Sequence, residues 1–158
     1  MYIKNIAFIP ARKNSKRIKN KNLSKINGQP LISIVLKNIK KTKIFDEIFV
    51  ASDDIKVNKL AIKFGVNINY IRPKNLSDDF TPVTDLISHF SLWIEKKKIK
   101  CDIISLIYPT SIFIKPKLLE KTYKIFLKSN EDYLLPIKKF PQPIERGFFI
   151  YKNLNIQK

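Results

Sequence analysis

The chain has 158 residues, with 31 Lys or Arg against 13 Asp or Glu, a formal net charge of +18, 44% hydrophobic residues and one Cys. Such a length and apolar fraction suit a single domain, residues 1–158, with a real core, and argue against intrinsic disorder. One Cys excludes an intrachain disulfide, and no run reaches the ~18 apolar residues of a membrane span or ends in a leader cleavage site, so the sequence reads as cytoplasmic with no membrane partner.

Asn5 to Pro10 (NIAFIP) is an apolar run ending in Pro ahead of a basic loop, the pattern of a buried strand that feeds a functional turn. Leu31 to Ile39 carries a broad helical stripe, with Pro30 suited to its first turn. Glu47 to Ser52 reads as a second strand. Asp53 and Asp54 suit the cap of a helix over Val57 to Phe64, and Gly65 stands where a helix end favours a left-handed residue. A third strand is expected over Val66 to Ile71. Thr81-Pro82 reads as a cap and first turn, followed by Val83, Leu86, Ile87, Phe90 and Ile94 at helical spacing. Asp102 to Ile107 is a fourth strand, Leu119, Tyr123, Phe126 and Leu127 mark a fourth helix, and Tyr133 to Pro136 is expected as a fifth strand.

Strands alternating with helices imply an α/β fold, with a mostly parallel, doubly wound sheet and ligands at the carboxyl ends of its strands. The basic excess consists of 27 Lys and only four Arg, beside 27 Ile and 13 Asn. That joint enrichment reads as compositional bias, with most Lys solvated on helix faces, so function is sought where cations cluster. Arg12 to Lys21 holds six cations in ten residues directly after the first strand. A loop there is either a solvated basic segment or a cradle that turns N–H groups and cations toward a polyphosphate. Neither G-x-x-x-x-G-K-[ST] nor G-x-G-x-x-G occurs, which counts against a Walker-type ATPase and a dinucleotide dehydrogenase.

The stretch I-P-A-R-x-x-S-K-R-I-x-x-K-N-L from Ile9 to Leu23, with N-G-x-P-L-I from Asn27, resembles the opening of the cytidylyltransferases that activate acidic nine-carbon sugars. Phe45-Asp46-Glu47-Ile48, Ser52-Asp53-Asp54, Phe64-Gly65-Val66, Arg72-Pro73, Leu76 to Thr81 and Pro109-Thr110-Ser111 continue the resemblance in order. Ser77-Asp78-Asp79-Phe80-Thr81 and Phe140 to Arg146 are more similar to the pseudaminic acid branch than to the sialic acid branch.

The resemblance implies a Rossmann-like, nucleotide-diphospho-sugar transferase-like domain in which CTP lies across the strand ends. The anomeric hydroxyl of the sugar acid attacks the α-phosphorus, and pyrophosphate leaves. It places Arg12 and Lys21 as catalytic cations and Lys16 beside them on the triphosphate. Ser15 and Asn22 fall where a donor fixes the nucleotide, Arg72, Phe80 and Thr81 where cytosine is held, and Tyr108 in the sugar pocket, where the family usually has Gln. From the residues alone, Arg72-Pro73 equally ends a strand and Phe80 equally joins the core.

The family's Mg²⁺ is implied as cofactor, but its carboxylate ligands fall in a later segment than Lys158. The chain is therefore expected to be the nucleotide half of such an enzyme, missing its C-terminal part, with an exposed apolar face and poor turnover, and no metal ligands are assigned. A homodimer is a possible partner arrangement. His89 is expected at the surface or rim, Cys101 as a small buried or edge residue, and Trp93 in the core. Asp53 and Asp54 are read as caps in preference to cation ligands. Two rival readings are a catalytically inactive nucleotide-binding fragment and a basic nucleic-acid-binding module. Against the latter, the aromatics sit at core spacings and no helix-turn-helix, zinc or RNP pattern occurs. The nucleotide reading requires that the loops 11–23, 72–82 and 108–111 meet at one strand-end crevice.

Overall fold

All six residues of strand β1, Asn5–Pro10, are buried, because this strand lies at the centre of a parallel sheet with helices on both faces. The computed structural model describes residues 2–13, 15, 18–137, 149–150 and 156–157. After β1 the elements are the two-residue strands β2 (Lys25–Ile26) and β3 (Gln29–Pro30), helix α1 (Leu31–Lys40), strand β4 (Glu47–Ala51), helix α2 (Ile55–Lys63), helix α3 (Val83–Lys96), strand β5 (Ile103–Leu106) and helix α4 (Pro116–Lys128). Strands β6 (Phe149–Ile150) and β7 (Ile156–Gln157) follow as an antiparallel pair. The chain divides into two compact units, Met1–Ile125 and Phe126–Lys158.

The sheet of the first unit runs β4-β1-β5, parallel throughout, with Phe8 opposite Phe49 on one side and Leu106 on the other. Period-two alternation along β1 sends Ala7 and Ile9 to one face and Ile6 and Phe8 to the other. The first face packs on Val35, Leu36 and Ile39 of α1 and Val57 and Ala61 of α2. The second is aromatic: Phe8 stacks on Phe90 of α3 with centroids 4.3 Å apart, Tyr70 and Phe49 meet Phe90 edge-on, and Trp93 lies edge-on to both of them. Trp93 is thus partly buried against the core, as its spacing implied.

Two expected strands are corrected. Residues 66–71 give one parallel bridge, Phe49 to Asn67, in place of a ladder. The Asn67 side chain accepts the Asn69 N–H at 2.8 Å, an Asx turn that pulls the backbone off the sheet after Asn67 has bonded Ile48 and Val50. Residues 133–136 have no regular structure, and Tyr133 and Leu135 are exposed. Pro136 has no N–H for a ladder, and a strand with both faces in water gains little by forming. The hairpin β2–β3 was not anticipated; Asn27 and Gly28 turn it with φ of 48° and 76°, the paired positive values of a type I′ turn.

The helix starts also need correction at one point. Asp54 caps α2 as expected, its carboxylate accepting the Lys56 N–H at 2.8 Å, and Gly65 takes φ +62° just past the helix end. At α3, however, the cap position is Pro82 and makes no side-chain cap bond, so Thr81 is not the cap. Its N–H is bonded by Asp78 instead, which leaves Thr81 outside the first helical turn. Among the described residues no helix is long and apolar enough to cross a membrane.

Candidate functional site

In the strand order β4-β1-β5 the chain builds outward from β1 on one side and then returns to the other, so the direction of winding reverses beside β1. Loops leaving β1 and β5 part there and open a crevice at their carboxyl ends. A cleft of about 200 Å³ occupies this place. Arg12, Ser15, Lys21 and Asn22 line it from the loop after β1, Arg72, Asp78, Asp79 and Thr81 from the loop before α3, and Tyr108, Pro109 and Thr110 from the loop after β5. The three separated segments do meet at one site.

Each wall has its own support. Ala11 donates to Ala51 O at 2.9 Å, and buried Ser52 donates to Ala11 O at 2.6 Å while accepting the Asp54 N–H at 3.0 Å. Asp53 does not cap α2; its carboxylate accepts the Lys13 N–H at 2.6 Å and so clamps the start of the basic loop. Asn22 is buried and donates to Arg12 O at 2.8 Å. Its amide therefore holds the backbone that carries Arg12, and the residue also lines the cleft. Asn20, with φ 53°, starts the 3-10 turn Lys21–Leu23 that brings Lys21 back to the cleft.

Arg72 is 8% exposed, and its Nε and Nη2 both donate to Leu76 O, at 2.9 and 2.6 Å. Burial, with Arg12 close by, lowers the Arg72 guanidinium below its ordinary pKa. A cation held this way still carries its charge at neutral pH, because arginine starts so far above it. Two residues earlier, burial pushes the Tyr70 phenol up to about 12, and its hydroxyl lies 2.9 Å from Nδ1 of exposed His89. Cys101, pushed by burial up to about 11, is an unreactive thiol beside the sheet.

The loop before α3 supplies the anionic side of the cleft. Asp78 accepts the N–H groups of Phe80 at 2.9 Å and Thr81 at 2.6 Å, and the bonds from Thr81 lower its pKa. Arg12 donates to Asp78 O and pairs with Asp79. Three cations, Arg12, Lys21 and Arg72, thus face two carboxylates, Asp78 and Asp79. The second Ser-Asp-Asp of the sequence signalled this partner for the basic loop, but its turn-forming composition suggested only a turn.

One residue expected to hold the base does not join the others. Phe80 is 86% exposed and does not line the cleft, which also removes it from the core. Asp78 bonds the Phe80 N–H and so sets the turn that points Thr81 inward in its place. Lys16 and residues 140–146 lie outside the described residues. A larger cavity, about 370 Å³, sits at the amino end of β4, where Asp46 and Glu47 on its wall suit it poorly to phosphates.

A family model described as "Cytidylyltransferase" matches residues 6–143. The chain is 32% identical over 151 residues to the pseudaminic acid cytidylyltransferase of Campylobacter jejuni, covering 96% of this chain and 65% of that protein. It is 28% identical over 120 residues to the CMP-N,N'-diacetyllegionaminic acid synthase of Legionella pneumophila, covering 76% of this chain and 52% of that one. Among solved structures, CMP:2-keto-3-deoxy-manno-octonic acid synthetase complexed with CTP superposes with a TM-score of 0.63 at 27% identity, covering 78% of this chain and 47% of that one. The chain spans less than two thirds of the length of these proteins.

Proposed function

The chain belongs to the cytidylyltransferase family, and from that premise we propose that its cleft binds CTP for transfer of CMP to a nine-carbon acidic sugar of the pseudaminic acid class, with release of pyrophosphate. The observation that carries this reading is the convergence of Arg12, Lys21 and Arg72 from two loops at the strand-order reversal, across from Tyr108 on a third. Polyphosphate sites need several cations aimed at one point, and an open α/β sheet supplies that point at its switch.

In this reading the sugar's anomeric oxygen forms the new bond to the α-phosphorus, the bond to the bridging oxygen of the leaving pyrophosphate breaks, and the hydroxyl proton passes to solvent water. Arg12 and Lys21 neutralise the triphosphate and then the charge that gathers on pyrophosphate. A preorganised group of this kind supplies about 2–4 kcal/mol of transition-state stabilisation. Ser15, Arg72 and Thr81 hold the nucleotide, and Tyr108 stands on the sugar side. The resemblance to the Campylobacter protein, named for pseudaminic acid, supports the sugar class.

Mg²⁺ does not fit the described residues: no group of three His, Cys, Asp or Glu side chains comes together. Asp78 is engaged by two N–H groups and Asp79 by Arg12. No step is therefore assigned to a metal by these residues.

Calorimetry on the full chain tests the reading. CTP should bind more tightly than ATP or GTP, and pyrophosphate release from CTP should depend on a nonulosonic acid when the enzyme is assayed with several such sugars. Equal affinity for the three nucleotides would remove the cytidylyl assignment and leave a general phosphate site.

A further inference from the structure

Arg12 has its backbone fixed on both sides and its side chain held by two groups of one turn, the Asp78 carbonyl and the exchangeable Asp79 carboxylate. Asn22 bonds its carbonyl at 2.8 Å and Asp53 bonds the next N–H at 2.6 Å, so the main chain cannot follow a ligand far. The guanidinium reaches across the cleft to Asp79, with the two side chains 28% and 24% exposed, and donates its other terminal nitrogen to Asp78 O. Asp78 locks the turn that presents both groups, through the N–H bonds from Phe80 and Thr81.

We infer that Asp79 is the positioning and exchange partner of Arg12: it holds the guanidinium aimed into the ligand-free cleft and is displaced when a polyphosphate takes that cation. The inference rests on the phosphate-binding reading of the cleft and adds to it a residue that sets affinity. A carboxylate pairs with guanidinium by the same fork geometry as phosphate, so the two compete for one cation. The pair is open to water, which makes it weak enough to exchange. After transfer, Asp79 recapturing Arg12 favours pyrophosphate departure, because the leaving anion loses a cation as it goes. The loop and the turn keep their places throughout, and one side-chain ion pair is traded for another.

The experiment is a double-mutant cycle read by calorimetry with inorganic tripolyphosphate, CTP, ATP and cytidine on the full chain, with circular dichroism to check folding. Asp79→Asn keeps the shape and removes the charge; tripolyphosphate and CTP should then bind about fivefold to tenfold more tightly, the value of a released surface ion pair and a removed like charge. Cytidine affinity should not change. Asp79→Glu should return the affinity toward that of the unmodified chain. In an Arg12→Ala background the gain from Asp79→Asn should shrink to about twofold, the share left by the removed like charge, since the rest acts through Arg12. Unchanged or weakened tripolyphosphate binding in Asp79→Asn overturns the inference, as does a gain that survives undiminished in Arg12→Ala. Binding of tripolyphosphate by neither form overturns both this and the phosphate site. A gain for tripolyphosphate without preference for CTP over ATP upholds the exchange while removing the cytidylyl reading.

Discussion

The tripeptide Ser-Asp-Asp occurs twice, at Ser52-Asp53-Asp54 and at Ser77-Asp78-Asp79, and both copies hold the loop after β1 by opposite means. The first works on backbone from inside: Ser52 and Asp54 are buried, and the bonds run to Ala11 O, to the Asp54 and Lys56 N–H groups and to the Lys13 N–H. The second works on a side chain at the surface, with Asp78 shaping its own turn and Asp79 pairing Arg12. Burial decides which copy is permanent. A buried hydrogen bond cannot be broken without leaving an unsatisfied group, whereas an ion pair that water partly reaches can trade one anion for another.

The largest effect should come from Ser52→Ala. It strips a partner from Ala11 O and from the Asp54 N–H in a dry site, and should lower stability by about 2–3 kcal/mol in urea denaturation, with the slope unchanged. The matching Ser77→Ala removes one bond, to Pro73 O at 2.8 Å, and should cost under about 1 kcal/mol in the same measurement. Similar losses would break the distinction between the copies. Arg12→Ala should weaken CTP, ATP and GTP alike, by about 1.5–3 kcal/mol in calorimetry, while leaving the urea midpoint nearly unchanged. Asp54→Ala should cost about 1 kcal/mol of stability by uncapping α2, with triphosphate affinity kept.

The smallest effect is in acid. Hydrogen bonds from Thr81 hold the Asp78 carboxyl below its ordinary value. A folded pKa below the unfolded one gives stabilisation that is present above the unfolded value, near 3.9, and is lost as pH falls through the lowered one. Carboxyl carbon shifts should therefore place the Asp78 midpoint below that of an ordinary aspartate, with the turn unaltered from pH 7 to 5. An ordinary midpoint would mean that the turn forms without its carboxylate.

Helices and buried strands were legible because their signals are dense: α1 and α3 repeat apolar residues every third or fourth position, and β1 is apolar at every position after Asn5. The meeting of three loops was legible from topology, since each follows a sheet element or precedes α3. Where one side chain decides the outcome, the pattern misled. Asn67 turns 66–71 away from the ladder after one bridge, and Asp78 takes the Thr81 N–H from the role of a helix cap. Both are local competitions between side chain and backbone for the same N–H, and periodicity does not register them. The Asn27-Gly28 hairpin had a readable signal that the family segment around it masked.

Strand β5 has a colloidal consequence. It is half-buried and pairs with β1 along one edge, and among the described residues no strand bonds its other edge. An open margin of this kind is a template on which a second molecule can add a strand. Phe113, beyond the end of β5, is 89% exposed and adds apolar surface to the same molecule. The net charge of +18 opposes such an encounter, but over a range of only about 8 Å at physiological salt and about 3 Å at 1 M. The Lys surplus thus keeps molecules apart in dilute buffer, and rising ionic strength lets these edges approach each other.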